Sequence, residues 1–281
     1  MGGYKGTDDR ELTKVGDLMR QSVEFAQSAQ ITALKVRRMG VLRARMVLAR
    51  WRTATLLRAG RPLGCWCPCC ENPCAEWVDW SSTYRKVICP NCESQPRHRA
   101  LILHLKRHTR FYQDSLAVLH VAPEHFLRRL FLKLPKLQYL TADLKRGAVD
   151  IRLDVAFMPF GANTFHVVLA SHVLEHVEDD RAALREILRV LSPGGFAFLQ
   201  VPVSSAAETL EDPGIRSPRE RLYAYRQEDH FRLYGRDYVD RVAQIGFVVR
   251  SENPGEALSE EDIYRYGLLP LRDLVFGYKP V

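Results

Sequence analysis

A chain of 281 residues with 46% hydrophobic and 26% charged residues has the make-up of a globular protein with one large domain plus appendages. No apolar run approaches membrane-spanning length and the start lacks the basic-then-apolar shape of a secretory signal, so a cytoplasmic location is expected. The net charge of +8 sits wholly in residues 1–64, with 13 Lys+Arg against 5 Asp+Glu; the remainder has 28 of each. The excess therefore describes an arm and says nothing about the body of the protein.

In chain order, residues 1–62 read as that basic helical arm. From Glu11 to Leu57 there is no proline, and Leu, Arg, Ala, Met and Gln abound, which predicts two helices, 10–29 and 31–58. The second carries Lys35, Arg37, Arg38, Arg43, Arg45, Arg50 and Arg52 among apolar residues, without a clean two-faced separation. Three roles compete: a basic helix packed on the domain, which is the favoured one, a peripheral contact with anionic lipid, or a grip on nucleic acid.

All seven cysteines lie between positions 65 and 92. Cys67-Pro-Cys-Cys70 and Cys89-Pro-Asn-Cys92 are two Cys-x-x-Cys knuckles 18 residues apart, the pattern of a four-thiolate structural zinc site in a ribbon module over 63–110. Four thiolates leave no open coordination position, and the short, core-poor insert would be folded by the metal. Cys65, Cys69 and Cys74 are spare. The Arg97-His98-Arg99 run after the second knuckle is read either as a brace between ribbon and domain or as a nucleic-acid contact.

Residues 111–281 read as an α/β domain. Leu116–Val121 is a buried parallel strand, 124–133 has helical apolar spacing, and a second strand at 138–141 ends at Asp143. An acidic residue some 20 positions after the first turn suits a nucleoside site, because a carboxylate accepts both hydrogen bonds of a ribose diol. Asp154 follows, then a strand at 164–170, a helix at 181–191 capped by Asp179 and Asp180, a stop at Ser192-Pro-Gly-Gly195, and a strand at 196–201. Val203–Arg219 reads as a loop over the site edge, and strands near Gly246–Arg250 and Leu274–Lys279 should close the sheet as an antiparallel pair.

The ordered set Asp143, Asp154-x-x-x-Met-Pro-Phe160, Phe165-His-Val-Val-Leu-Ala-Ser-His-Val-Leu-Glu-His176 and Leu188-Arg-Val-Leu-Ser-Pro-Gly-Gly195 resembles class I S-adenosylmethionine-dependent methyltransferases, closest to the ubiquinone and menaquinone branch. The resemblance covers about a third of the chain. It implies a Rossmann-like sheet with helices on both faces and S-adenosylmethionine as methyl donor. The family's glycine-rich first turn is replaced by His120-Val-Ala-Pro-Glu124.

On that resemblance, His120, Ala122 and Glu124 would line the methionine end, Asp143 and Leu144 the ribose, Asp154 and Val155 the adenine, and Ser171 and His172 the fourth-strand edge. Methyl transfer to a hydroxyl needs a base, and histidine suits it. His230 or His172 is expected in that role, with Arg232 orienting an anionic acceptor. His176 is read more readily as a loop-fixing residue. A divalent metal at His172, Glu175, His176 and His230 is a further reading, drawn from related RNA-end methyltransferases. The expected acceptor is a small molecule or glycan precursor. The alternatives are an RNA methyltransferase using the zinc ribbon and basic arm, and a non-catalytic scaffold.

Overall fold

The computed structural model describes residues 39–281 except 146, 255, 271 and 272. The expected helix at 10–29, and Lys35, Arg37 and Arg38 of the second, lie outside the described residues. Of that second helix, residues 39–58 are helical (α1). Leu42, Met46 and Ala49, spaced at four and three, form the buried face, and they meet Val78, Val87 and Ile88.

The cysteine-rich segment pairs β1 (Cys65–Cys67) with β2 (Asn72–Cys74) antiparallel. A hairpin-like loop follows, closed by Val78 N–H to the Ile88 carbonyl at 2.9 Å and Trp80 N–H to the Tyr84 carbonyl at 2.9 Å. Helix α2 (Pro96–His108) then leads to the sheet; Pro96 opens it where no intrahelical donor is needed.

The sheet has seven strands: β3 (Leu116–Val121), β4 (Leu137–Asp143), β5 (Ile151–Arg152), β6 (Phe165–Ala170), β7 (Leu191–Phe198), β8 (Val248–Glu252) and β9 (Leu274–Tyr278). Their order is β5-β4-β3-β6-β7-β9-β8, the first five parallel and β9 antiparallel to both neighbours. This is the expected Rossmann-like methyltransferase architecture. The order reverses between β3 and β6, and in open α/β sheets ligands sit in the crevice outside the strand ends at such a switch point.

Helices α3 (His125–Phe131), α4 (Asp180–Val190), α5 (Pro218–Tyr225), α6 (Tyr238–Ala243) and α7 (Glu260–Arg265) complete the chain. Asp179 caps α4, accepting from Ala182 N–H at 2.8 Å, and Ala183, Leu184, Ile187 and Val190 form its buried face. Leu184, Ile187 and Val190 each contribute about 1.5–3 kcal/mol by leaving water.

The expected helix stop holds, since α4 ends at Val190 just before Ser192–Gly195, but those residues form a bulge inside β7 rather than a break before it. Phe165 pairs with Leu191 and Val167 with Phe196, so the extra residues loop out while pairing continues on both sides. Gly195 is required there, since a Cβ would stand 2.7 Å from the His166 carbonyl oxygen. The 203–219 loop is tied down by bridges of Val203 to Tyr234 and Leu210 to Leu233.

Candidate functional site

Four of the seven cysteines converge. Cys67, Cys70, Cys89 and Cys92 bring their sulfurs within 4.8 Å of one another, with Cys67–Cys92 at 3.7 Å and Cys70–Cys89 at 3.9 Å. Tetrahedral zinc with bonds of about 2.3 Å places its sulfurs about 3.8 Å apart, so this donor set fits that ion. Cys65 and Cys74 are instead cross-strand partners in β1–β2.

Arg99 ties the module to the domain and is fully buried. Its guanidinium donates to the carbonyls of Val87 (3.0 Å) and Ser94 in the module, and of Tyr266 (2.8 Å) and Gly267 near the C-terminus. It also lies 4.2 Å over the Trp77 ring. One hydrophobic cluster runs from Cys65 and Trp77 through Leu101 to Phe198 and Phe276. The ribbon and the sheet thus share a core.

A cavity of about 500 Å³ opens between them. One wall is the module: Trp80, Tyr84, Val87, Ile88 and the start of α2. The other is the carboxyl edge of β6 and β7, with His172, Glu175, His176 and Gln200–Pro202, together with His230. Of the residues expected to hold a cofactor, only His172 lines this space.

His172 stands just beyond β6 with a left-handed φ of +55°, an unfavourable backbone for a non-glycine residue. Its N–H is fixed by the Gln200 carbonyl at 2.8 Å, and its Nδ1 lies 3.0 Å from Glu175 Oε1. The Glu175 side chain is 2% exposed. A carboxylate beside Nδ1 selects the tautomer with its proton there, leaving Nε2 as a proton acceptor. Glu175 sits in a short 3-10 turn, Leu174–His176.

His230 is buried; its Nδ1 lies 3.2 Å from the Tyr225 carbonyl, and its ring meets His176 edge to face at 4.7 Å. Burial, followed by the neighbouring His176, pushes its pKa below the usual histidine value. His176 in turn is 3.3 Å from Asp229. Glu175, His176 and His230 bring one carboxylate oxygen and two ring nitrogens within 4.8 Å, a set compatible with a divalent ion. His172 is outside that set.

Arg232 is where the geometry departs from expectation. It is 1% exposed, and all five guanidinium N–H groups are spent on protein: the carbonyls of Leu174 (2.8 Å), Val177 (2.6 Å) and Glu178 (2.6 Å), and Glu211 Oε1 from both Nε (2.9 Å) and Nη2 (2.7 Å). No donor remains for an anionic acceptor. Arg232 instead holds the turn that carries Glu175 and His176.

On the β3 side, Ala122 has φ +46°, supplying the left-handed bend that glycine would otherwise provide. His120 is 1% exposed and its Nδ1 lies 2.8 Å from the Tyr139 hydroxyl, so its ring packs in the core rather than facing a cavity. Glu124 follows, with His98 Nε2 at 3.4 Å, His120 Nε2 at 3.6 Å and Arg97 at 3.8 Å. Burial alone would raise its pKa, but these histidines hold it well below the usual glutamate value. Both carboxylate oxygens of Glu124 are buried without a hydrogen-bond partner among the described residues.

Asp143 is the last residue of β4, half-buried, and accepts from Lys145 N–H at 2.9 Å; Leu144 beside it is exposed. Asp154 is exposed two positions after β5 and accepts from Ala156 N–H at 2.9 Å, while Val155 is in the core and Ser171 is buried. Sequence reasoning missed Trp80, Tyr84 and Gln200 as cavity residues. Only the Trp-x-x-x-Tyr pair between the knuckles signalled them, and it gave no hint of what it faces.

Residues 132–199, from the end of α3 through β7, match a family model described as a methyltransferase domain. No curated protein sequence matches the chain. Among solved structures, the [4+2]-cyclase SpnF is 18% identical, with 67% of this chain and 84% of that one covered and a TM-score of 0.47. The YcgJ protein of Bacillus subtilis is 17% identical, with 66% and 99% covered and a TM-score of 0.42. A putative methyltransferase of Bacillus halodurans is 16% identical, with 60% and 94% covered and a TM-score of 0.39. Over residues 132–199 the chain is thus similar to a methyltransferase domain.

Proposed function

We propose that this methyltransferase domain uses S-adenosylmethionine to methylate a hydroxyl of a small-molecule or glycan-type acceptor, with His172 as the base. The observation that carries this reading is the His172–Glu175 pair at the wall of the cavity, 3.0 Å apart. An imidazole held by a buried carboxylate, with its second nitrogen left to accept, is the arrangement a general base needs.

The donor molecule supplies a methyl group on a positively charged sulfur. It would lie across the switch point between β3 and β6. Asp143 at the tip of β4 would accept from the ribose hydroxyls and Asp154 from the adenine edge, with Leu144 and Val155 alongside. Glu124, paired with His98, His120 and Arg97 at 3.4–3.8 Å but without a hydrogen bond among the described residues, would meet the ammonium group at the methionine end, beside the Ala122 bend. Ser171 and His172 close the β6 edge.

The cavity holds the acceptor hydroxyl against His172. With S-adenosylmethionine bound as the source of the methyl group, His172 Nε2 would take the proton that the acceptor hydroxyl loses on being methylated. Glu175 stabilises the imidazolium that results. The walls exclude water and align the reacting atoms, which is most of what an in-line displacement requires. Zinc in the four-cysteine site would act as a structural ion, fixing the module that forms the second wall.

His172→Ala should lower turnover by about 10²–10⁴-fold, the range for losing a general base. The affinity for S-adenosylhomocysteine, measured by calorimetry, should stay within a few-fold. Unchanged turnover would remove His172 from the mechanism.

A further inference from the structure

Two oxygen-bearing side chains on the sheet wall of the cavity are buried and unanswered. Glu175 is 1% exposed; its Oε1 faces His172, but its Oε2 has no hydrogen-bond partner among the described residues. Gln200 is 6% exposed; its Oε1 also has none, and its amide nitrogen reaches only the Val201 carbonyl, at 3.4 Å. A buried polar atom left without a partner costs about 1–3 kcal/mol. A wall with two of them is suited to a ligand that supplies the missing bonds.

The chemistry of the two groups narrows that ligand. An ionised carboxylate oxygen can only accept, so it requires a donor. The Gln200 terminus pairs with a hydroxyl whichever way its amide is turned, because a hydroxyl both donates and accepts. More than one hydroxyl on a single small molecule satisfies both positions.

The facing wall adds two aromatic side chains beside Gln95 and Arg97. Trp80 and Tyr84 stand at the end of the hairpin between the cysteine knuckles, joined by the Trp80 N–H to Tyr84 carbonyl bond. Leu42, Met46 and Ala49 of α1 back that hairpin through Val78, Val87 and Ile88, with Trp80 packed at the edge of the same cluster. Three α1 arginines fasten it: Arg45 to the Asp79 carbonyl (3.2 Å), Arg50 to the Pro90 carbonyl (2.6 Å) and Arg52 to Glu76 (2.7 Å). The aromatic pair is thus presented by a rigid support, as a specificity surface should be.

We infer that this cavity takes a polyhydroxylated six-membered ring of the pyranoside class, with its hydroxyl edge on Glu175 and Gln200 and its C–H face against Trp80. A pyranoside joins those two surfaces in one molecule, and its apolar C–H face is what an aromatic ring covers well. The cavity of about 500 Å³ falls within the ~300–1,000 Å³ range of small-molecule sites. The cysteine module, on this assignment, determines which acceptor is methylated. The inference deepens the methyl-transfer reading and rests on it only for which hydroxyl reacts.

The test is saturation-transfer NMR on the full chain with S-adenosylhomocysteine present. The probes are the methyl glycosides of glucose, galactose, mannose and rhamnose, with cyclohexanol as a ring of like size bearing one hydroxyl. At least one pyranoside should bind, at least ten-fold more tightly than cyclohexanol. Trp80→Ala should weaken it ten-fold or more, Trp80→Phe should retain most of it, and neither should change S-adenosylhomocysteine affinity. If Trp80→Ala fails to fold, the same loss is read from Tyr84→Ala at the exposed rim. Binding of none of the four glycosides overturns the assignment, as does cyclohexanol binding equally well or an aromatic variant binding like the parent. Failure to bind S-adenosylhomocysteine would instead count against the methyl-transfer reading, and sugar binding could still be scored without it.

Discussion

His172 and Ala122 occupy corresponding places, each just past the carboxyl end of a central strand, and both have left-handed backbones without being glycine. Such conformations cost about 1–3 kcal/mol and persist where the surroundings hold them and function uses them. The place of Asp143 as the last residue of β4 was legible in the sequence because it depends only on an apolar strand ending in a carboxylate. Asp143→Ala should remove two charge-assisted hydrogen bonds worth roughly 1.5–3 kcal/mol each, a loss of about 10²–10⁴ in S-adenosylhomocysteine affinity by calorimetry. Unaltered affinity would mean that the ribose lies elsewhere. Arg232 was not legible. Its neighbours Asp229-His230 suggest a site, but its partners at Leu174, Val177, Glu178 and Glu211 are distant in the chain, and only they show that its donors are spent.

Elements with a local signature came through the sequence nearly intact. The apolar runs of β3 and β6 and the Asp179 cap of α4 are properties of a few consecutive residues. The bulge in β7 did not: Pro-Gly-Gly marks the end of α4, but only the pairing of Leu191 with Phe165 shows that the strand begins ahead of it. The cysteine module is half legible: the knuckle spacing foretells that four sulfurs converge, while the hairpin between them gives no sign of the cavity it walls. Cys89→Ser should drop zinc from about one ion per chain to none by metal analysis. It should also lower Tm by roughly 10 °C, since a structural site is folding free energy. A variant that keeps both its metal and its Tm would argue for a different ligand set. The basic arm, where described, spends Arg45, Arg50 and Arg52 on the module, which favours a packing role over a grip on RNA. A shallow dependence of RNA binding on salt would agree, since phosphate contacts would make it steep.

Across the whole molecule, three buried histidines are poised to destabilise the fold in acid. Burial comes first in lowering His98, His104 and His230 below the ordinary value of about 6.5. For each, the unfolded chain binds the proton more readily, so stability rises with pH through this range and falls as pH drops below about 6.5. Two carboxylates act lower still. Asp180 would be raised by burial, but Arg241 and Tyr234 bring it below its usual value, and Glu124 is likewise depressed by His120 and His98. Their stabilisation is complete above about pH 4 and is lost as pH falls through their folded values. Thermal denaturation should therefore give a plateau near pH 7–8, a decline from about 6.5, and a steeper one below about 4. A Tm that is flat between pH 5 and 7 would show that the histidines protonate without penalty.

Arg99 joins residues made early to carbonyls made late. Tyr266 and Gly267 lie 167 and 168 positions downstream of it. At ~5–20 residues per second of synthesis, that delay is roughly ten to thirty seconds. During it the guanidinium has only the Val87 and Ser94 carbonyls of the module, and the Trp77 indole lacks the Tyr264 carbonyl that it reaches at 3.1 Å. The first part of the body to leave the ribosome is thus among the last to be locked, and a polypeptide stopped short of Tyr264 would strand that cation without its latch.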